Sequence, residues 1–156
     1  MYKDIYMKKA VDLSSLSMNE GTGGPFGAII VKDGQIVGQG RNLVTVNNDP
    51  TAHAEVVAIR DACQHLGTFQ LEGCDIYCSC EPCPMCLGAI YWARPRHIYF
   101  AATREDAALA GFDDSLIYQE IPKKPTERLI PTEQKDQQLA VTILRRWKNF
   151  ENKIEY

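Results

Sequence analysis

Two short motifs constrain this chain more than any other feature: HAE at residues 53–55 and PCPMC at residues 82–86. Proteins bind zinc through thiolate sulfur and imidazole nitrogen, and a site with three protein ligands leaves a fourth position for water. His53, Cys83 and Cys86 supply three such ligands. The motifs therefore predict a zinc centre of the catalytic type, and a fold that brings two separate segments to one ion.

The spacing of the motif residues favours helix starts. Cys83 and Cys86 are three residues apart and would lie on one helical face, and Pro84 suits a first helical turn. The positive end of a helix favours thiolates, and His53 also stands where a helix would begin. Two thiolates and a neutral imidazole cancel the charge of zinc, so the bound water needs a base. Glu55, close to the ion but not a ligand, fits that role.

The cysteine register leaves an alternative open, because Cys80, Cys83 and Cys86 are evenly spaced. These three could bind a metal without His53, or Cys80 could complete a closed, purely structural site. Pro82 favours an extended residue before it, which would keep Cys80 outside the helix. This favours the set of His53, Cys83 and Cys86.

Composition narrows the class of protein. The chain has 156 residues, 45% of them hydrophobic, which suits a single domain over residues 1–156. The net charge of -3 favours a small-molecule substrate over a nucleic acid partner. No apolar run suits a membrane span and the first residues do not resemble a secretory signal, so we expect a cytoplasmic protein. In that setting the six cysteines indicate metal ligation rather than disulfides.

Periodicity predicts alternating helices and strands. Helical spacing is found at residues 2–18, 52–66, 84–92 and 132–150, with a short helix near 105–110. Strand-like runs lie at residues 26–32, 35–44, 75–79 and 97–101. This order predicts a three-layer α/β/α fold with a mixed sheet. Right-handed crossovers would place both motif-bearing helices on one side of the sheet.

Longer segments resemble a known family. They are GGPFGAIIVKDG (23–34), NDPTAHAEV (48–56), SCEPCPMCLGAIYWARP (79–95), AGFDDS (110–115) and the terminal EY (155–156). Together they resemble the cytidine-deaminase-like zinc deaminases and, among these, the bacterial guanine deaminases. The two zinc motifs mark only the superfamily. The narrower markers are AGFDDS and the terminal tyrosine.

The resemblance implies a fold, an activity and a cofactor. The fold would be cytidine-deaminase-like, with five strands in the mixed sheet. The activity would be hydrolytic deamination of guanine to xanthine and ammonia. One Zn²⁺ per subunit would be held by His53, Cys83 and Cys86, with Glu55 shuttling protons.

The resemblance also implies residues that contact the purine. Phe26 would stack on the base, and Asn42 would hydrogen-bond to its edge. Asp114 would be a second catalytic group that holds or protonates the base, with Asp113 as the alternative. Plain structural roles compete with these: core packing for Phe26, a strand end for Asn42, and helix capping for the aspartates.

Three further residues and one segment complete the implied site. Ala54 and Trp92 would line the pocket, and Tyr156 would help to close it. Core packing is the plain alternative for Trp92. The resemblance further implies a homodimer in which a C-terminal segment, about residues 121–156, is exchanged between subunits. Residues 121–125 would suit an extended hinge.

Other functions share the same motifs. A tRNA adenosine deaminase carries HAE and PCxxC and accepts a flipped base, but it also needs basic contacts to RNA phosphates. A deaminase of another small aminated heterocycle is a third reading. A non-catalytic zinc-binding module is a fourth, and it would leave Glu55 without a task.

Overall fold

A computed structural model describes residues 2–156. The chain divides into two compact units, Met1–Asp114 and Ser115–Tyr156. Both motifs lie in the first unit. The helices of this unit are α1 (Asp4–Asn19), α2 (Val44–Asn47), α3 (Ala54–Leu66), α4 (Pro84–Ala93) and α5 (Arg104–Leu109). Its strands are β1 (Gly27–Lys32), β2 (Gln35–Arg41), β3 (Asp75–Cys80) and β4 (His97–Ala102).

The four strands form one mixed sheet in the order β2-β1-β3-β4. A tight turn through Asp33 and Gly34, both with positive φ, joins β1 to β2 as an antiparallel hairpin. Strand β1 pairs antiparallel with β3, and β3 pairs parallel with β4. As a result, the start of β1 and the ends of β2, β3 and β4 meet at one edge of the sheet.

Helices cover both faces of the sheet. On one face α3 and α4 pack on the sheet, with Ala58 and Ile90 in a core that also contains Ile30 and Ile76. On the other face, residues of α1 pack in a second core cluster around Tyr77. The predicted three-layer α/β/α class, with both motif-bearing helices on one side, is confirmed.

The strand count differs from the expected five, because the described residues contain four strands. The reason lies immediately after β4. Thr103 accepts a hydrogen bond from the Asp106 backbone amide, and the Asp106 carboxylate accepts one from the Thr103 amide. This capping box starts α5, and the chain beyond it forms helices and irregular segments, not another strand.

Helix α3 lies directly on the backbone of β2 at Gly40. A Cβ atom at Gly40 would stand 2.1 Å from the Ala54 carbonyl oxygen and 2.5 Å from the Ala58 nitrogen. No side chain fits in that space, so the glycine permits the contact. This contact sets the position of the first turn of α3, which follows His53.

An ion pair anchors the start of β3 to the start of β4. The Arg96 guanidinium donates to both carboxylate oxygens of Asp75, at 3.0 and 2.8 Å, and His97 lies 3.4 Å from the same group. Burial alone would raise the pKa of Asp75, but the hydrogen bonds and charge of Arg96 outweigh it. The pKa of Asp75 is therefore lowered.

The second unit contains helix α6 (Ser115–Glu120), a 3₁₀ turn at Pro125–Glu127 and helix α7 (Gln137–Lys148). The predicted helix at 132–150 is therefore shorter at both ends. Among residues 2–156, no helix is both long and apolar enough to cross a lipid bilayer.

Candidate functional site

The two motifs meet at the N-termini of two helices. His53 is the N-cap residue of α3 and Cys83 is the N-cap residue of α4, each with extended backbone angles. Pro84 occupies the first turn of α4, as predicted, and Cys86 faces the same point. The ligand atoms of His53, Cys83 and Cys86 lie within 4.8 Å of one another.

The geometry of this group fits zinc. His53 Nδ1 lies 3.5 Å from the sulfur of Cys83 and 3.5 Å from that of Cys86. A tetrahedral zinc ion with ordinary Zn–N and Zn–S bonds would separate such a nitrogen and sulfur by about 3.6 Å. Cys80 is outside the group: its thiol donates to the Thr103 carbonyl oxygen at 3.5 Å. The structure thus brings together the favoured set of three, not the alternative with Cys80.

The three side chains are electrostatically coupled. A hydrogen bond from Cys86 lowers the pKa of Cys83 to about 4, with help from His53 and against the effect of burial. The same bond and burial raise the pKa of Cys86. Hydrogen bonding to Cys83 raises the pKa of His53. The three side chains thus favour a thiolate at Cys83, which is the form of cysteine that binds zinc.

Glu55 stands beside the metal group in the first turn of α3. Only 7% of its surface is exposed, and its Oε2 lies 3.4 Å from the sulfur of Cys86. Burial raises the pKa of Glu55. A buried carboxylate with a raised pKa beside the three ligands is suited to take up and release a proton.

Phe26 and Asn42 lie at the same edge of the sheet as the metal group. The Asn42 backbone amide donates to the Phe26 carbonyl oxygen at 3.1 Å, which holds the two residues together. The next residue, Leu43, donates to the Ala52 carbonyl oxygen at 2.9 Å, immediately before His53. The residues predicted to contact the base are thus linked to the segment that carries the metal ligand.

Phe112 is a neighbour of Phe26 that the sequence did not single out. The two rings meet edge to face, with centroids 4.9 Å apart. A Cβ atom at Gly24 would stand 3.0 Å from both rings. Phe112 belongs to the AGFDDS segment, which the sequence marks as characteristic, but the resemblance implied roles only for the two aspartates of that segment. The contact restricts the orientation of the Phe26 ring.

Asp114 is half-buried at the end of the first unit, whereas Asp113 is exposed. Burial raises the pKa of Asp114; the positive charge of Arg104 opposes this and the negative charge of Cys83 adds to it. Asp114 and Asp113 as the second acid or base stay predictions.

The other three residues predicted for the pocket differ in how much of their surface is exposed. Ala54 is buried at the start of α3, with 1% of its surface exposed. Trp92 lies on α4 with 64% exposed, and Tyr156 lies in the second unit with 68% exposed. The pocket roles of these three residues stay predictions.

Comparisons with known proteins agree with this site. Residues 2–102 match the family model described as the cytidine and deoxycytidylate deaminase zinc-binding region. Guanine deaminase of Bacillus subtilis (strain 168) is 56% identical over 156 residues, which cover 100% of both chains. The tRNA-specific adenosine deaminase of Aquifex aeolicus (strain VF5) is 42% identical over 102 residues, covering 65% of this chain and 67% of that protein.

A solved structure extends the comparison to three dimensions. The X-ray structure of guanine deaminase from Bacillus subtilis superposes with a TM-score of 0.96 at 56% sequence identity. The match covers 100% of this chain and 99% of that one. The similarity therefore includes residues 103–156, which lie beyond the family model.

Proposed function

Because this chain belongs to the cytidine and deoxycytidylate deaminase family, we propose that it catalyses the hydrolytic deamination of guanine to xanthine and ammonia. One observation carries the choice of guanine: the full-length similarity to a guanine deaminase, which continues through residues 103–156. The tRNA deaminase similarity covers 65% of the chain. The acidic net charge of -3 also supports a small substrate over RNA.

The metal is Zn²⁺, held by His53, Cys83 and Cys86. When bound, it supplies a water molecule of lowered pKa, about 7 in well-studied zinc enzymes, as the nucleophile. Two thiolates and a neutral imidazole balance the charge of the ion. The protein must therefore provide its own base beside the site.

Glu55 is that base. Its carboxylate takes a proton from the nucleophilic water and delivers it to a ring nitrogen of guanine, while the water oxygen bonds to C2. The remaining hydrogen of that water passes to the amino group at C2, and the C–N bond breaks to release ammonia. Asp114 assists this second transfer. One water enters, and xanthine and ammonia leave.

Phe26 and Asn42 hold the base in place. The Phe26 ring offers a flat apolar face for stacking, and its contact with Phe112 limits the orientations of that ring. Asn42 offers a side-chain amide to the base edge. Ala54 is small enough to let the purine approach the start of α3.

The test of this proposal is ammonia release from a panel of purines and pyrimidines by the purified, zinc-loaded chain. We expect guanine to give the highest kcat/KM and xanthine to be the product. A tRNA anticodon stem-loop is the competing substrate. Inosine formation in that RNA, with no activity on guanine, would replace the proposal with the tRNA deaminase alternative.

We also propose a homodimer with exchanged C-terminal segments and a cytoplasmic location. Apolar side chains of α7 support the exchange, because they are exposed: Leu139, Ile143, Leu144 and Trp147. In the first unit, Tyr91 is 74% exposed and Phe100, on the edge strand β4, is 46% exposed. A second copy of the chain would cover the exposed apolar side chains of α7 and those of Tyr91 and Phe100. The free state of the six cysteines suits a reducing compartment.

Mixed dimers test the exchange. A chain that lacks residues 154–156 keeps Glu55, and a Glu55→Gln chain keeps the terminus. If Tyr156 acts in the partner's pocket, mixing two inactive variants restores part of the activity. Absence of recovery in a confirmed mixed dimer would contradict exchange.

A further inference from the structure

The side-chain amide of Asn42 has a defined orientation. Its Oδ1 accepts a hydrogen bond from the Val44 backbone amide at 3.1 Å. A backbone N–H can bond only to the oxygen of that amide, so the nitrogen must point the other way. The side-chain nitrogen Nδ2 of Asn42 therefore points away from Val44 and can donate a hydrogen bond.

This donor reaches solvent although Asn42 is nearly buried. Asn42 is only 5% exposed. Within residues 2–156, no fully buried side-chain nitrogen or oxygen is without a partner. No hydrogen bond involves Nδ2 of Asn42 in the described part of the chain, so Nδ2 is among the few atoms of this residue that are accessible.

Two hydroxyl groups hold the backbone of Asn42 from the side of α1. Ser17, near the end of α1, is fully buried, and its hydroxyl donates to the Asn42 carbonyl oxygen at 2.9 Å. Thr22 donates to the same oxygen at 3.2 Å. The backbone N–H of Asn42 donates to the Phe26 carbonyl oxygen, so both backbone polar groups of Asn42 form hydrogen bonds. Neither hydroxyl has a task in the proposed reaction.

Gly23 closes the remaining side of the Asn42 amide. A Cβ atom at Gly23 would stand 2.1 Å from Asn42 Oδ1 and 2.9 Å from Cγ. Real Cβ contacts are not that short, so any side chain at position 23 must displace the amide. The glycine therefore preserves the space in which the Asn42 amide sits.

We propose that Ser17 and Gly23 are positioning residues that hold Asn42 with its N–H₂ group toward the base, and thereby select purines with an oxygen rather than an amino group at position 6. The inference rests on the proposed function, in which Asn42 hydrogen-bonds to the edge of the purine, and it assigns the 6-oxygen as the atom that meets Nδ2. An oxygen there accepts the hydrogen bond. An amino group would bring two donors face to face and leave Asn42 Nδ2 desolvated without a partner.

The experiment compares guanine with 2,6-diaminopurine, which carries an amino group in place of the 6-oxygen. Kinetic constants for both are measured with the zinc-loaded chain and with Gly23→Ala. We expect Gly23→Ala to raise the KM for guanine and to lower the kcat/KM ratio of guanine to 2,6-diaminopurine at least about tenfold. The control is Gly88→Ala, since a Cβ there meets nothing within 4 Å.

Ser17→Ala provides a second, milder variant, in case Gly23→Ala folds poorly. It removes the donor to Asn42 while Thr22 remains, so we expect a severalfold fall in the same ratio. The matched control is Ser15→Ala, which makes the same change at an exposed position of α1. A folding defect lowers activity on both purines equally and leaves the ratio unchanged.

The outcomes separate this inference from the proposed function. A wild-type chain without activity on guanine refutes the proposed function, and the selectivity argument is refuted with it. If the wild-type chain deaminates guanine but Gly23→Ala and Ser17→Ala keep the wild-type ratio of kcat/KM for guanine to that for 2,6-diaminopurine, the proposed function stands and the positioning role is overturned. Lowered ratios in both variants, with unchanged ratios in both controls, support the positioning role.

Discussion

Replacement of Gly40 with alanine is expected to move the start of α3 and so to disturb the metal group. The added Cβ would lie 2.1 Å from the Ala54 carbonyl oxygen and 2.5 Å from the Ala58 nitrogen. Both are backbone atoms, which cannot turn aside as a flexible side chain would. The helix and the strand must separate by roughly 1 Å before the contacts become ordinary.

The magnitude has two parts. Overpacking of a well-packed contact costs about 1–3 kcal/mol, and the backbone clash at Gly40 places this variant near 3 kcal/mol. For a chain of this size, that lowers the melting temperature by about 6–12 °C. A shift of about 1 Å at a catalytic group lowers the rate by about 10². His53 and Glu55, which flank Ala54, would both move.

Three measurements on Gly40→Ala test this reasoning: melting temperature, zinc content and kcat on guanine. Gly88→Ala is the control, because it adds the same methyl group in open space. We expect Gly40→Ala to lower all three quantities. Gly88→Ala, in the interior of α4, should keep zinc content and kcat and should not lower the melting temperature. A Gly40→Ala chain with normal zinc content and normal kcat would refute the link between this strand contact and the site.

Other perturbations give distinct results. Glu55→Gln removes the base, so kcat should fall by about 10²–10⁴ while zinc content stays normal; near-normal turnover would exclude this role. Arg96→Ala should lower the melting temperature at neutral pH. The folded-state pKa of Asp75 is lowered, so the ion pair stabilises the fold above about pH 4, and this stabilisation is lost as the pH falls further. The difference in melting temperature between Arg96→Ala and the wild type should therefore be largest above about pH 4 and shrink below it; a difference that does not depend on pH would contradict the ion pair. Chelation of zinc should abolish activity and lower the melting temperature by several degrees, both restored by added zinc; an unchanged melting curve would contradict a bound metal.

Much of the fold was predictable because its signals are local. Pro84 and the cysteine spacing placed the start of α4 correctly. Gly67, with positive φ, ends α3 where the sequence indicated a stop. The strand boundaries were less accurate: β2 was expected to reach residue 44 but ends at Arg41. Asn42 explains the difference, since its side chain bonds to the Val44 amide and turns the chain.

The parts that the sequence did not reveal depend on contacts between distant segments. Pro82 indicates that Cys80 lies outside the helix, but only the packing of β3 directs the Cys80 thiol to Thr103. The contact of Phe112 with Phe26 arises in the same way. Gly23 and Gly40 look like ordinary loop and strand glycines in the sequence. Their importance appears only when the neighbouring backbone is in place.

The separation of the metal group from the residues proposed to contact the base has an evolutionary consequence. The ligands and Glu55 come from the first turns of α3 and α4, whereas Phe26, Asn42 and Phe112 come from other segments of the first unit. Mutations in those segments can alter which molecule enters without touching the hydrolytic machinery. A duplicated gene could thus acquire a new substrate while its descendants inherit the same chemistry. Mutations that shift α3 would be tolerated least, because the helix lies directly on the backbone at Gly40 and has no room to move.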